Sequence, residues 1–199
     1  MKIIIVGGTG TIGKAVVKEL SHRHQVIIAA HQHGDVRVDI TDQQSIENMY
    51  KTIGPVDAVI STTGKIHFGE FAQMKAQQYQ VGLDSKLMGQ VNLVLLGIAY
   101  LNDAGSFTLT SGILSHEPIR YGSSGSMINA AIDGFIRGAA IEMPRGIRIN
   151  AVSPTILLES VPQYGEYFHG FEPVPAAKVA LAYSKSVEGL QTGQIYKVG

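Results

Sequence analysis

An α/β chain is predicted, a doubly wound parallel sheet of about seven strands with helices on both faces. Three observations predict it. Short β-branched runs alternate with amphipathic stretches from end to end. The first run breaks into a glycine-rich turn, Gly7-Gly8-Thr9-Gly10-Thr11-Ile12-Gly13. Glycine is abundant, 23 of 199 residues, while only 16% are charged. That balance suits a closely packed chain with many turns and excludes a disordered tail protein.

Each element has its own warrant. Ile3–Val6 is a buried strand ended by glycines, and Ile12, Val16, Val17 and Leu20 then recur at helical spacing. Val26–Ala30 and Val36–Asp39 are the next strands. Thr41 with Gln44 forms a capping-box start to a helix that Gly54-Pro55 ends. Val56–Ile60 is the fourth strand and Asp84–Leu101 a long helix without proline. Gly105–Thr110 is strand five, and Ser123–Met143 a helix stopped at Pro144. Ile147–Val152, a helix over Pro175–Val187 and a strand at Ile195–Val198 complete the series. No repeat, linker or low-complexity tract interrupts it, so residues 1–199 are expected to form a single domain.

Composition narrows the function. Sixteen Lys and Arg balance sixteen Asp and Glu, which leaves no electrostatic basis for binding nucleic acid. No cysteine is present, hence neither a disulfide framework nor a thiolate metal site. No run approaches the 20 or so apolar residues of a membrane span, and the apolar start is too short for a signal peptide. A cytoplasmic setting is expected, with a small-molecule substrate and no nucleic-acid or membrane partner. The pairs His22/His24 and His31/His33 lack a nearby carboxylate cluster, so no metal site is expected.

The glycine turn carries the chemistry. Glycines at 7, 10 and 13 let the backbone turn tightly and approach a pyrophosphate, which the following helix N-terminus would meet with amides and a positive dipole. Its place between a strand and a helix is the context that gives the motif meaning. At the end of strand two, Ala29-Ala30-His31-Gln32-His33-Gly34 offers no acid for a ribose 2′-hydroxyl before Asp35. A 2′-phosphate would meet no repulsion there, and His31 or His33 could donate to it. NADP is therefore favoured over NAD.

By these residues the chain resembles the short-chain dehydrogenase/reductase family, whose Rossmann-type fold the resemblance implies over nearly the whole length. Gly7-x-x-Gly10-x-x-Gly13 looks like the family's glycine motif, and Asp39-Ile40 like its adenine-contacting pair. Ser61-Thr62-Thr63-Gly64 stands at the strand-four end and Gly105–Ser111 at the strand carrying the catalytic serine. Gly146–Pro154 matches strand six, which implies that Pro154 and Ile156 face the cofactor. The family's activity is hydride transfer between a nicotinamide dinucleotide and a carbonyl or alcohol, with a Ser, a Tyr-x-x-x-Lys pair and an upstream Asn at the centre. Ser111 matches the serine. The Tyr position falls on Gly125, the Lys position on Asn129, and Lys86 stands where the upstream Asn is expected.

The departure leaves two functions open. One is an NADP-dependent oxidoreductase acting on a small carbonyl or alcohol, with Ser111 orienting the oxygen, Tyr121 as proton donor and Lys86 as the positive charge near the ribose. The other is a non-catalytic NADP-binding protein, structural or redox-sensing. A free phenol near pKa 10 is ionised only about one part in a thousand at neutral pH, so Tyr121 without a lysine beside it would serve better as an acid than as a base. Tyr164, Tyr167, Phe168, His169 and Phe171 form an aromatic cluster where the family keeps its substrate loop. Two long helices rich in apolar and small residues, with Leu87, Val91, Val94, Leu95, Ile98 and Leu101 on the first and Ala130, Ala131, Gly134, Gly138 and Ala139 on the second, suggest a homodimer or homotetramer.

Overall fold

In the computed structural model, which describes all 199 residues, Ile3 and Ile5 enter one apolar core and Ile4 and Val6 the other. This is the period-two alternation of a strand covered on both faces. The strand, β1 (Lys2–Val6), leads through α1 (Thr11–Leu20) to β2 (Gln25–Ala30) and β3 (Val36–Arg37). Next come α2 (Gln43–Ile53), β4 (Val56–Ser61), α3 (Ala76–Gly82) and α4 (Gly89–Gly97). Then follow β5 (Leu101–Thr110), α5 (Ser123–Ala140), β6 (Arg148–Pro154), the short α6 (Val161–Tyr164), α7 (Ala176–Glu188) and β7 (Ile195–Val198). All strand pairs are parallel, in one seven-stranded sheet of order β3-β2-β1-β4-β5-β6-β7.

The winding reverses between β1 and β4. The chain runs outward through β2 and β3, then returns to the other side of β1, which opens a crevice at the carboxyl ends of those two strands. One face of the sheet is covered by α2, α4 and α5, through Tyr50, Leu93, Ile128 and Ile132 among others. Tyr50 donates its hydroxyl to the Leu93 carbonyl at 2.6 Å, which satisfies the one polar atom that ring would otherwise strand in the core. The other face is covered by α1 and α7, through Val16, Leu20, Val179 and Tyr183.

Several boundaries differ from the sequence reading. The cap of α2 is Asp42, whose carboxylate accepts the Gln44 amide at 2.9 Å, and not Thr41; the Thr41 hydroxyl and amide are both given to Asp39. The third strand shrinks from Val36–Asp39 to two residues at the sheet edge. The long helix does not begin at Asp84. A continuous helical run extends over Ala76–Tyr100, and Leu101 already belongs to β5. Its start carries no usual sequence signal, because a polar first turn is capped by Gln78 reaching back to the Lys75 amide, without Ser, Thr, Asp or Asn at the cap. Within that run, Leu83–Met88 is wound as a π-helix, a local widening common where a helix presents functional side chains.

Candidate functional site

The crevice holds a cavity of about 790 Å³. Gly7, Thr9, Gly10, His31, Asp39, Ile40, Thr62, Thr63 and Gly64 line it, so residues chosen from four separate stretches of sequence meet there. Gly7 adopts φ +84°, open to glycine without strain. A Cβ on Gly13 would collide with the Gly7 carbonyl oxygen, so the third glycine is needed for the helix to close on the turn. No side chain caps α1 at Gly10, which leaves its first-turn amides free to meet an anion beside the exposed Thr9 and Thr11. The turn, the free amides and the size of the cavity fit a dinucleotide. Ser61 lies just behind, fully buried at the end of β4.

The rim at strand two is more acidic than the sequence suggested. Asp35 turns back to accept the Ile28 amide at 2.8 Å and is occupied there. Asp39, however, stands 3.7 Å from His31 Nε2. Hydrogen bonds from the Thr41 hydroxyl at 2.7 Å and amide at 2.9 Å hold its carboxyl below the usual carboxylate range. His31 thus stays on the rim, side by side with a committed carboxylate.

Beyond Gly64 a second cavity, of about 270 Å³, is lined by Lys86, Ser111 and Asn129 together with Ile12, Pro154, Ile156, Phe68, Tyr164 and Phe168. Ser111 directly follows β5, is buried, and donates its hydroxyl to the Asn129 carbonyl at 3.2 Å. Lys86 leaves the π-helical turn and donates from Nζ to the Ser111 carbonyl at 2.8 Å and to Asn129 Oδ1 at 2.7 Å. Ser111 and Lys86, 25 residues apart, are therefore brought together. The surrounding protein strips water from the ammonium and pulls Lys86 down from 10.5 to about 8, while Asp133 on α5 opposes that fall.

Tyr121 is not brought to this cluster. It sits at φ +65° on a different surface cavity with Phe71, Arg120 and Ser123, its ring edge-on to Tyr167 and under the Arg120 guanidinium. The place expected for a tyrosine, Gly125, is tight: a Cβ there would lie 3.0 Å from Leu114 Cδ1 and 3.1 Å from Ile66 Cδ1, the ends of two side chains that would have to give by a few tenths of an ångström. The phenol that does line the Ser111–Lys86 cavity is Tyr164, half-buried and packed on Phe68 at 6.0 Å between ring centroids. Of the aromatic cluster read after Pro154, Tyr164 and Phe168 reach the cavity wall.

Gln90 escaped the sequence reading altogether. Fully buried one turn beyond Lys86, its amide donates to the carbonyls of Lys86 at 3.0 Å and Thr110 at 2.9 Å and accepts the Thr110 amide at 2.8 Å. It thereby pins the π-helical turn to the end of β5. The available clue was a polar residue on the face of an otherwise apolar helix. His24 contacts Glu188 Oε1 at 2.8 Å and so ties α1 to α7 far from the cavities.

Known proteins resemble the chain over the same span. A family model described as enoyl-(acyl carrier protein) reductase matches residues 6–183. L-xylulose reductase of Bos taurus is 22% identical over 180 residues, 81% of this chain and 74% of its own. A crystal structure of a Listeria innocua protein has a TM-score of 0.98 at 52% identity, covering all of both chains. A small-chain dehydrogenase in complex with NADPH has a TM-score of 0.88 at 29% identity, covering 100% of this chain and 96% of the other.

Proposed function

This chain belongs to the short-chain dehydrogenase/reductase family, and we propose that within it the protein is an NADP(H)-dependent oxidoreductase of small apolar carbonyl compounds or alcohols. The observation that carries the reading is the Lys86–Asn129–Ser111 cluster, an ammonium and a hydroxyl held at the wall of a cavity that Ile12, Ile66, Phe68, Pro154 and Ile156 also line. When bound, the nicotinamide dinucleotide supplies or accepts the hydride.

The chain's own residues divide the remaining work. The Gly7–Gly13 turn and the first-turn amides of α1, with Thr9 and Thr11, would hold the pyrophosphate. Asp39 and Ile40 would border the adenine, and Ser61, Thr62, Thr63 and Gly64 the middle of the molecule. Ile12, Pro154 and Ile156 would face the nicotinamide end. Asp35 is turned to the Ile28 amide, and His31 and Lys65, which line the cavity, would donate to a 2′-phosphate against the charge of Asp39 beside His31. Ser111 would orient the substrate oxygen, and Lys86 would place a positive charge beside it in a low-dielectric wall, where such a charge acts more strongly than in water. Phe68, Tyr164 and Phe168 would exclude water over the substrate.

Fluorescence titration with NADPH and NADH tests the cofactor, and NADPH consumption with 4-nitrobenzaldehyde, an apolar aromatic carbonyl, tests the reaction. NADPH should bind more tightly than NADH, and His31→Ala should narrow the difference severalfold, the worth of about one charge-assisted hydrogen bond. Tighter NADH binding would remove the NADP assignment. The lack of a side chain at Gly125 favours a second reading, a dinucleotide-binding protein without turnover; NADPH binding with no reduction of 4-nitrobenzaldehyde or a panel of other small carbonyls would select it.

A further inference from the structure

Resting on the carbonyl-reducing reading above, we propose that Lys86 is itself the proton donor to the substrate oxygen, with Asn129 Oδ1 and the Ser111 carbonyl forming the cradle that aims its ammonium.

Geometry carries this. The ammonium has three N–H donors, and two are spent, on Ser111 O at 2.8 Å and Asn129 Oδ1 at 2.7 Å. One remains on a side chain that lines the cavity. Lys86 and Asn129 stand at each other's expected positions, so the interchange returns an ammonium to the site by way of a different helix. Tyr164 lines the same cavity but hydrogen-bonds none of the three: the Ser111 hydroxyl is given to Asn129 O, and neither Lys86 nor Asn129 bonds a tyrosine. Leu114 and Ile66 crowd the space beside Gly125.

The charge state suits the task. Asp133 faces Lys86 from α5 and favours the cation without contacting it. Asp84 on the same π-helical turn is turned to Gln80 Nε2. Lys65 follows β4, Tyr164 faces the cavity from beyond β6, and β5 brings no ionisable side chain to it. Desolvation outweighs Asp133, and the resulting value of about 8 gives an acid mostly protonated at neutral pH and far readier to release its proton than an ordinary lysine. In the reaction, the carbonyl carbon takes a hydride from reduced nicotinamide dinucleotide, the C–O π pair moves to oxygen, and that oxygen takes a proton from Nζ. The products are the alcohol, the oxidised dinucleotide and a neutral Lys86 amine, which regains its proton from water.

The test joins a spectroscopic and a kinetic readout on the full chain. In protein labelled with 13Cε-lysine, one resonance, identified by its loss in Lys86→Met, should titrate near pH 8 without cofactor. Reduction of 4-nitrobenzaldehyde by saturating NADPH should fall about tenfold per pH unit above that value. Lys86→Arg, which keeps the charge but releases no proton in this range, should still bind NADPH while losing on the order of 100-fold or more in rate. The pH break should persist in Tyr164→Phe and in Tyr121→Phe. A Lys86 resonance that stays protonated through pH 10, a near-normal rate in Lys86→Arg, or loss of the break in Tyr164→Phe would overturn the proposal. Failure of the wild type to bind NADPH, or binding without any carbonyl turnover, would overturn the oxidoreductase reading and this one with it.

Discussion

A Cβ built on Gly64 would lie 2.7 Å from the Cα, Cβ and Cγ of Lys86. The bare glycine therefore lets the lysine stem lie against the loop that follows β4, and its φ of +122° is one that side chains rarely adopt. Gly64→Ala is expected to force Lys86 away from Asn129 and to cost roughly 2–4 kcal/mol from overpacking and backbone strain combined. Urea unfolding checks the stability. The 13Cε resonance of Lys86 checks the displacement, and an unchanged resonance would show that the loop yields instead.

Gln90 is the clamp between Lys86 and the strand that Ser111 follows. Gln90→Leu fits the buried volume but leaves the Lys86 and Thr110 carbonyls and the Thr110 amide without their partner. The expected loss is about 2–4 kcal/mol, seen as a lower urea midpoint with an unchanged m-value. NADPH binding should weaken less than turnover, because Gln90 sits behind the cluster and does not line the larger cavity. Equal loss of both would show a general collapse.

Acid stability depends on Glu188. Its carboxylate accepts from Arg23 Nε at 2.9 Å and the Ser184 hydroxyl at 2.7 Å and contacts His24 Nε2 at 2.8 Å, which joins α7 to the end of α1. The Arg23 bond leads in lowering Glu188 from 4.5 to about 2. Between those values the unfolded chain binds more protons than the folded one, so this stabilisation is complete above pH 4.5 and is lost as pH falls toward 2. The group is about one-third exposed, and solvent screening reduces its worth to about 1–2 kcal/mol. Glu188→Gln should lower Tm at pH 7 and flatten the decline of Tm between pH 5 and 2. Parallel curves for the two proteins would remove Glu188 from the acid transition.

The remaining apolar surface concerns assembly. Val94, Leu95 and Ile98 of the long helical run and Phe135, Gly138 and Ala139 of α5 line a groove of about 390 Å³. Leu95 is 58% exposed, and nothing lies within 4 Å of a Cβ placed on Gly134 or Gly138. We infer a homodimer or homotetramer in which these two helices meet those of a second copy. Light scattering at micromolar concentration should give a multiple of the chain mass, reduced to the monomer in Leu95→Asp. A monomeric wild type would remove the inference.

How much of this was legible in the sequence depended on the range of the interactions involved. The strand bounds were legible unevenly: Ile195–Val198 is found as read and β1 begins one residue early, whereas β5 begins at Leu101, four residues before Gly105, because Asn102, Asp103 and Ala104 are exposed and carry no buried-strand pattern. The glycine turn was legible because φ +84° at Gly7 and the close approach of Gly13 restrict those positions to glycine. Local capping was less legible. Asp42 and Thr41 are both good caps, and the choice between them follows from Asp39 claiming the Thr41 donors.

The contacts that Lys86 makes with Ser111 and Asn129 were not legible. Sequence alone determined the alternation of elements, the glycine turn and the serine that follows β5, each written in residues adjacent along the chain. Tertiary structure alone decided that Lys86 meets Asn129 across 43 residues, that Gln90 ties the Lys86 carbonyl to Thr110, and that Tyr164 and not Tyr121 walls the cavity. The physical reason is that backbone pattern answers to neighbours in sequence. The partners and protonation of a buried ammonium answer to whatever two packed helices and a strand end bring within 3 Å of it.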